Sequence, residues 1–236
     1  WECSASWASD ERSLTNIPTG RYVLSMAKPP ATAASSRQRL LDAALHEFRS
    51  RGYAATTVDD LCRAAGVGKG SFFHHFPSKE ALALEAVNHW NAMTGALFAQ
   101  APYHAPADPR DRVLAYVDFR AALLQGELAD FTCLLGTIVQ ETYDSHPALR
   151  DACRHGIEGH AETLVRDIAD AKAKYAPDAD WTPQSLALFT QAALQGAFIL
   201  AKAQGGAPAA TDAVSHLRRY IESLFPLPPT TKRKTP

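Results

Sequence analysis

The sequence predicts an all-α protein of about nine helices, a three-helix head followed by a multi-helix body. Three observations predict it. Apolar residues recur at intervals of three and four in one segment after another, with no sustained period-two alternation that would mark a strand. Proline and glycine punctuate the segments, as in Gly52, Gly66, Pro77, Pro102 to Pro109, Gly126, Pro147 and Gly205-Gly206. Between Thr57 and Phe76, two short helical stretches flank a glycine-bearing turn, the layout of a helix-turn-helix.

Residues 1–34 mix Ser, Thr, Ala and Pro without a period and are expected to be a disordered leader, with Met26 a candidate true start. Ser35 or Ser36 caps the first helix, whose Leu40, Leu41, Ala44, Leu45 and Phe48 share a face that ends at Gly52. Thr57 caps the second, Val58 to Ala65, and Asp60 three residues on can return a hydrogen bond to the cap. Gly66 supplies the left-handed corner, and the third helix runs from Lys69 to His75. That helix is roughly 10 Å long, short enough for a major groove about 12 Å wide. Lys69, Ser71, His74 and His75 are phosphate or base-edge hydrogen bonders, Gly70 permits close backbone approach, and Phe72 and Phe76 are the core anchors. Ser78 caps a fourth helix that runs to about Gln100 and links head to body.

The series Arg37 to Phe48, Gly52-Tyr53, Thr56-Thr57, Ala65-Gly66-Val67, Lys69-Gly70-Ser71 and Phe76-Pro-Ser-Lys-Glu-Ala-Leu82 resembles the DNA-binding domain of TetR-family repressors. The resemblance places that domain at residues 35–82. It implies phosphate and base contacts at Thr57, Lys69, Gly70, Ser71, Phe73, His74, His75 and Lys79. Family members often carry Tyr where this chain has Phe73, so a hydroxyl bond to phosphate is lost there and only van der Waals contact remains. Double-stranded operator DNA is then the expected partner, and no bond is made or broken.

The body, residues 83–225, opens with a proline-rich loop from Pro102 to Pro109. A fifth helix carries Val113, Tyr116, Val117, Phe119, Leu123 and Leu124. A sixth is predicted over Leu128 to Tyr143 as one piece, and a seventh, amphipathic and long, from Pro147 to about Tyr175. Thr182 caps an eighth and Pro183 opens it; its surface, around Ala192, Ala193, Gly196 and Ala197, is small-sided. The ninth spans about Ala209 to Phe225, and residues 226–236 form a basic tail, expected to be disordered.

Charge is partitioned. Residues 35–82 hold seven Lys/Arg against five Asp/Glu, whereas 83–225 hold eleven against seventeen, so the head alone suits polyphosphate. No charged leader followed by an apolar stretch and no apolar run near the roughly 18 residues of a membrane span is evident, which leads to an expectation of a cytoplasmic bacterial protein associated with the nucleoid through DNA. Cys3, Cys62, Cys133 and Cys153 show no C-x-x-C spacing, so neither a zinc site nor a redox dithiol is signalled.

A helical enzyme or scaffold that borrows the head is the rival class. His155 and His160 flank Glu158, but a five-residue spacing turns them roughly 140° apart on a helix, so they do not make a metal pair. Gly66-Val-Gly-Lys-Gly70 lacks the spacing of a phosphate-binding loop, and the sequence calls for no cofactor or metal. Cys133, early in the sixth predicted helix, reads as a small buried hydrophobe, with a thiol switch as the alternative.

An organic-ligand cavity is expected among the body helices from Trp90, Met93, Tyr116, Phe119, Phe131, Cys133, Thr137, Gln140, Tyr143, His155 and Phe189, which mix apolar walls with a few polar tips. The family resemblance implies that such a cavity takes an inducer. A homodimer is expected through the last two helices, at Phe189, Ala193, Gly196, Ala197, Leu200, Leu217 and Ile221, because small side chains let helices approach closely.

Overall fold

The computed structural model describes residues 35–227, over which ten α-helices and no strand occur. The expectations for the leader, including Met26 and Cys3, and for the Lys232-Arg233-Lys234 tail lie outside the described residues. The helices are α1 (Ser36–Arg51), α2 (Val58–Ala65), α3 (Lys69–His75), α4 (Lys79–Ala99), α5 (Pro109–Ala122), α6 (Leu128–Phe131), α7 (Leu134–Thr142), α8 (Pro147–Tyr175), α9 (Pro183–Gln204) and α10 (Pro208–Leu224), with a 3-10 turn at Pro102–His104.

The caps fall where the sequence put them. Ser35 Oγ accepts from Gln38 N at the start of α1, Thr57 and Asp60 close a capping box on α2, and Ser78 Oγ accepts from Ala81 N on α4. Gly66 ends α2 at φ 63°, in the left-handed region.

One expected helix is two. The run Leu128 to Tyr143 breaks at Thr132 and Cys133, both extended, so the structure holds one helix more than the nine expected. Thr132 is wholly buried, and its backbone N–H and its Oγ1 both donate to the Leu128 carbonyl, at 3.1 and 2.7 Å, before the chain turns extended. Its extended backbone lets Cys133 cap α7 and turns α7 toward the head.

Two apolar clusters result. One joins α5, the C-terminal half of α8, α9 and α10 through Tyr116, Leu164, Ile168, Leu194, Phe198 and Leu217. The other surrounds Leu40, Leu45, Phe48, Leu61, Phe72 and Phe76 of the head and takes in Leu134, Leu135 and Ile138 of α7 with Leu149 and Cys153 of α8. The head therefore shares its core with body helices.

Helix α9 corrects the reading that no apolar run approaches a membrane span. Its 22 residues reach a mean hydropathy of 1.3 over an 18-residue window, and by length and composition alone it could cross a bilayer. Just under half of that window is buried in the protein. Thr190 and Gln191 are buried within it, and Gln191 Nε2 donates to Tyr116 Oη at 3.1 Å, as befits a helix packed inside a protein.

Because Ile138 is fully buried in the cluster built around the head, Ile138→Ala is expected to cost about 2–5 kcal/mol and to destabilise head and body together. Urea unfolding followed by circular dichroism, with proteolysis of the 35–82 segment in parallel, measures it. Loss confined to the body would contradict the shared core.

Candidate DNA-reading head and ligand cavity

On α3, Phe72 points inward and is wholly buried, with Phe76 just beyond the helix, their ring centroids 6.1 Å apart. This anchoring turns Lys69, Gly70, Phe73 and His74 to solvent, with Ser71 and His75 half-buried beside them. Phe73 is 55% exposed, unusual for a phenylalanine and consistent with a contact surface. A Cβ on Gly70 would meet nothing within 4 Å, so this stretch of backbone is open to close approach. Lys69 Nζ pairs with Asp59 at 2.8 Å, and that carboxylate holds the ammonium's pKa above its ordinary value. Both partners are exposed, so a phosphate can compete for the charge.

Thr57 is exposed at the start of α2, and its backbone and hydroxyl both donate to Asp60 at 3.0 and 2.6 Å. These bonds, with Arg63 at 2.9 Å, hold the Asp60 acid well below the usual carboxylate range. Lys79 has a different setting from the other candidate contacts. Its ammonium donates to the Tyr53 and Thr56 carbonyls at 2.9 and 3.0 Å and lies 4.2 Å from the Tyr53 ring centroid. Burial lowers its pKa. In the unbound protein it closes the loop between α1 and α2.

Helix α7 also reaches this loop. Glu141 Oε2 accepts from Ala54 N at 2.6 Å, and Gly52, at φ 89°, lies so close to Glu141 that a side chain there would collide with the carboxylate. His146 adds a contact to the Tyr53 hydroxyl at 3.5 Å.

A cavity of about 70 Å³ lies between α4, α5, α8 and α9. Trp90, Asn91, Thr94 and Phe98 of α4 form one wall, Arg120, Leu123 and Leu124 a second, Gly156, Ile157 and His160 a third, and Gln191, Gln195 and Phe198 a fourth. Phe131, Cys133 and Leu135 close the floor. A more open hollow of about 240 Å³ shares Cys133, Gln195 and Phe198 and adds Thr137, Gln140, Glu141 and Lys202. Lys202 Nζ donates to Thr137 Oγ1 at 2.6 Å, and burial lowers its pKa.

The expected ligand residues divide. Trp90, Phe131 and Cys133 line the first cavity, and Cys133, Thr137 and Gln140 line the adjoining hollow. Tyr116 stands behind the wall and reaches His160 through its hydroxyl at 2.9 Å. The others lie elsewhere: Phe119 in the body core, Met93 against the head cluster, His155 and Tyr143 in solvent, and Phe189 on the outer face of α9, 5.1 Å from the Tyr220 ring. Arg120, Gln191 and Gln195 escaped the sequence reading, and His160 was weighed there only as a metal ligand. Tyr116 with Arg120, and Gln191 with Gln195, are four-residue polar pairs on apolar helices, a signal that could have found them.

The outer face of α9 and α10 is apolar: Leu188, Phe189, Ile199, Leu200 and Tyr220 are exposed, with Ala193 and Gly196 half-buried among them. Ala197, Leu217 and Ile221, expected on that face, are instead buried in the chain's own core at 1%, 4% and 1% exposure. A helix buried on one face and exposed on the other carries apolar residues on both, and sequence periodicity does not tell them apart.

Lys79→Met removes two carbonyl bonds from a partly buried loop and is expected to lower stability by about 1–3 kcal/mol. Lys69→Ala, in an exposed pair, leaves the urea midpoint where it was. Equal midpoints for both variants would refute the clamp.

A model of "Bacterial regulatory proteins, tetR family" matches residues 40–86, and a "Tetracyclin repressor-like, C-terminal domain" matches residues 109–217. The chain is 29% identical over 174 residues to the transcriptional regulator AcuR of Cereibacter sphaeroides, covering 72% of this chain and 78% of that one. It is 27% identical over 177 residues to the HTH-type transcriptional repressor DhaR of a Mycobacterium species, covering 75% and 85%. Its fold is similar to that of a cysteine mutant of the TetR-family regulator CifR, solved with 26-base-pair operator DNA, at a TM-score of 0.65 and 23% identity over 79% of this chain and 97% of that one. With both halves matched in order, a capped helix-turn-helix at one end and a cavity-bearing helical body at the other, the chain belongs to the TetR family of transcriptional regulators.

Proposed function

We propose that the protein is a homodimeric repressor that binds a pseudo-palindromic operator through α3 and is released from it by a small organic inducer. The observation that carries this reading is the outer face of α3, where Lys69, Gly70, Phe73 and His74 are exposed on a helix pinned by Phe72 and Phe76. Lys69 and the Thr57 end of α2 supply phosphate contacts; Ser71, His74 and His75, with the close approach at Gly70, read base edges. Lys79 acts by holding the loop before α2. The operator-bound CifR structure and the repressor DhaR support the reading by analogy. Such a regulator works in the bacterial cytoplasm, on nucleoid DNA.

Two heads must meet half-sites about 34 Å apart, one helical turn of DNA, which needs a two-fold dimer. The apolar outer face of α9 and α10 suits it, and Gly196, with open space at its Cβ, lets two helices approach.

The inducer reading rests on position. Trp90 and Phe98 of the cavity belong to α4, whose first turn carries the Lys79 clamp, and Glu141 of the adjoining hollow bonds the same loop at Ala54. A ligand that moves α4 or α7 therefore bears on the seating of α2 and α3. The coupling expected is about 1–3 kcal/mol, roughly 5- to 150-fold in operator affinity. The thiol alternative has less support: Cys153, which feels Cys133 electrostatically, is fully buried, and burial pushes its thiol up to about 12, so it is a poor thiolate partner.

Gel shifts with the chain's own upstream DNA test the reading. Sequence-specific binding that disappears in Lys69→Ala/His75→Ala supports it, and failure of the wild-type chain to bind DNA sinks it. Gly196→Arg should sediment as a monomer with weakened operator binding; an unchanged dimer would rule out this interface.

A further inference from the structure

The cavity beside α4 has a cation on its wall and no carboxylate to balance it. Arg120 is the permanent cation on its wall, and no Asp or Glu is among the described residues that line it. Three other arginines of the body core's edge have a carboxylate partner: Arg110 with Glu222 at 3.2 Å, Arg112 with Asp167 at 2.7 Å and Arg218 with Asp118 at 2.6 Å. Arg120 instead lies over two aromatic rings, 5.2 Å from the Phe98 centroid and 5.8 Å from that of Phe198. Its polar neighbours are the Tyr116 hydroxyl at 3.5 Å and His160 Nε2 at 3.4 Å.

Neither neighbour balances the charge. Burial and the adjacent guanidinium pull the His160 pKa down to about 3, so the imidazole is neutral at physiological pH. The tautomer that satisfies the contacts has a bare Nε2, which accepts from the Tyr116 hydroxyl at 2.9 Å, while Gln191 Nε2 donates to Tyr116 Oη at 3.1 Å. Both acceptors near Arg120 are thus long and already shared. A guanidinium carries five donors in a planar fork, and a cation held among aromatic rings without a counter-charge costs stability that an anion can restore.

We propose that this cavity binds a small organic monocarboxylate, its carboxylate forked by Arg120 and its short aliphatic or aromatic body laid against Phe98, Phe131 and Phe198. The proposal rests on the ligand-responsive reading above and names the chemistry of its ligand. A single guanidinium with no second cation on the wall suits one negative charge better than a phosphate dianion. Lys202, the nearest alternative, lines only the neighbouring hollow and is bonded to Thr137. The volume of about 70 Å³, extended by the hollow that shares Cys133, Gln195 and Phe198, suits an acid with a single ring or a short chain.

The test is calorimetric titration of the full-length wild-type protein with benzoate, cinnamate and octanoate, each beside its methyl ester and primary amide. At least one acid should bind about tenfold to a hundredfold more tightly than its own ester. Arg120→Met should erase that preference by weakening the acid and sparing the ester, and Arg120→Lys should regain part of it. Equal affinities of acids and esters, full acid affinity in Arg120→Met, or no binding in either series overturns the proposal. The acid–ester comparison needs no variant, so it stands even if a substitution unfolds the chain. A gel shift on the same samples separates the two readings: an acid bound through Arg120 that leaves the operator complex intact defeats induction but not the carboxylate site. Release by esters alone defeats the carboxylate site but not induction.

Discussion

The reading head depends on apolar area that it does not own. Three helices of 16, 8 and 7 residues cannot enclose a core by themselves. Leu134, Leu135 and Ile138 from α7, and Leu149 and Cys153 from α8, complete it, each 3% exposed or less. At roughly 1.5–3 kcal/mol for each large side chain buried, this borrowed area is comparable with the whole net stability of a small domain. A head that must be propped by the body is also a head that the body can move.

The cavity sits on the seam between the two clusters, which is where a ligand has leverage over that support. Trp90 and Leu135 on its wall belong to the head-side cluster, whereas Phe98, Phe131 and Phe198 belong to the body, and Cys133 packs against both. The Trp90 indole also receives the Arg49 guanidinium of α1, 4.8 Å from its ring centroid. Arg49 is buried, its Nε bonds the Leu45 carbonyl, and burial lowers its pKa to about 10. A displacement of Trp90 therefore reaches the first helix of the head directly. Packed interiors shift between discrete arrangements rather than deforming smoothly, which suits such a seam to switching.

What was legible in the sequence was local. Caps and glycine corners act within four residues, so Ser35, Thr57, Gly66, Ser78 and Thr182 could be read as written, and the anchors Phe72 and Phe76 followed from helical spacing. The break at Thr132 was not legible, because the apolar spacing runs on through Leu128, Phe131, Leu135 and Ile138 with no proline or glycine at the break. Nor was the seat of Lys79, set by carbonyls 23 and 26 residues away. Little of the cavity was legible: Trp90 and Phe131 were among the residues expected to line it, Phe98 and Phe198 were not, and Arg120 and His160 become neighbours only when α5 and α8 pack, 40 residues apart in sequence.

Helix α9 shows why the inner and outer apolar residues resist separation by pattern alone. Leu186, Leu194, Phe198 and Ala201 bury against the body, Gln191 and Gln195 face the cavity, and Leu188, Phe189, Ile199 and Leu200 remain outside. One helix thus has three apolar or polar stripes where an ordinary amphipathic helix has two, which raises its hydropathy toward that of a membrane span. The glutamines are the informative exceptions. Side chains that interrupt an otherwise continuous apolar helix are costly to bury unless bonded, and Gln191 is bonded to the Tyr116 hydroxyl that also serves His160. The helix with the exposed outer face is therefore also a wall of the charged cavity, so ligand binding and association of two chains act on one rigid element.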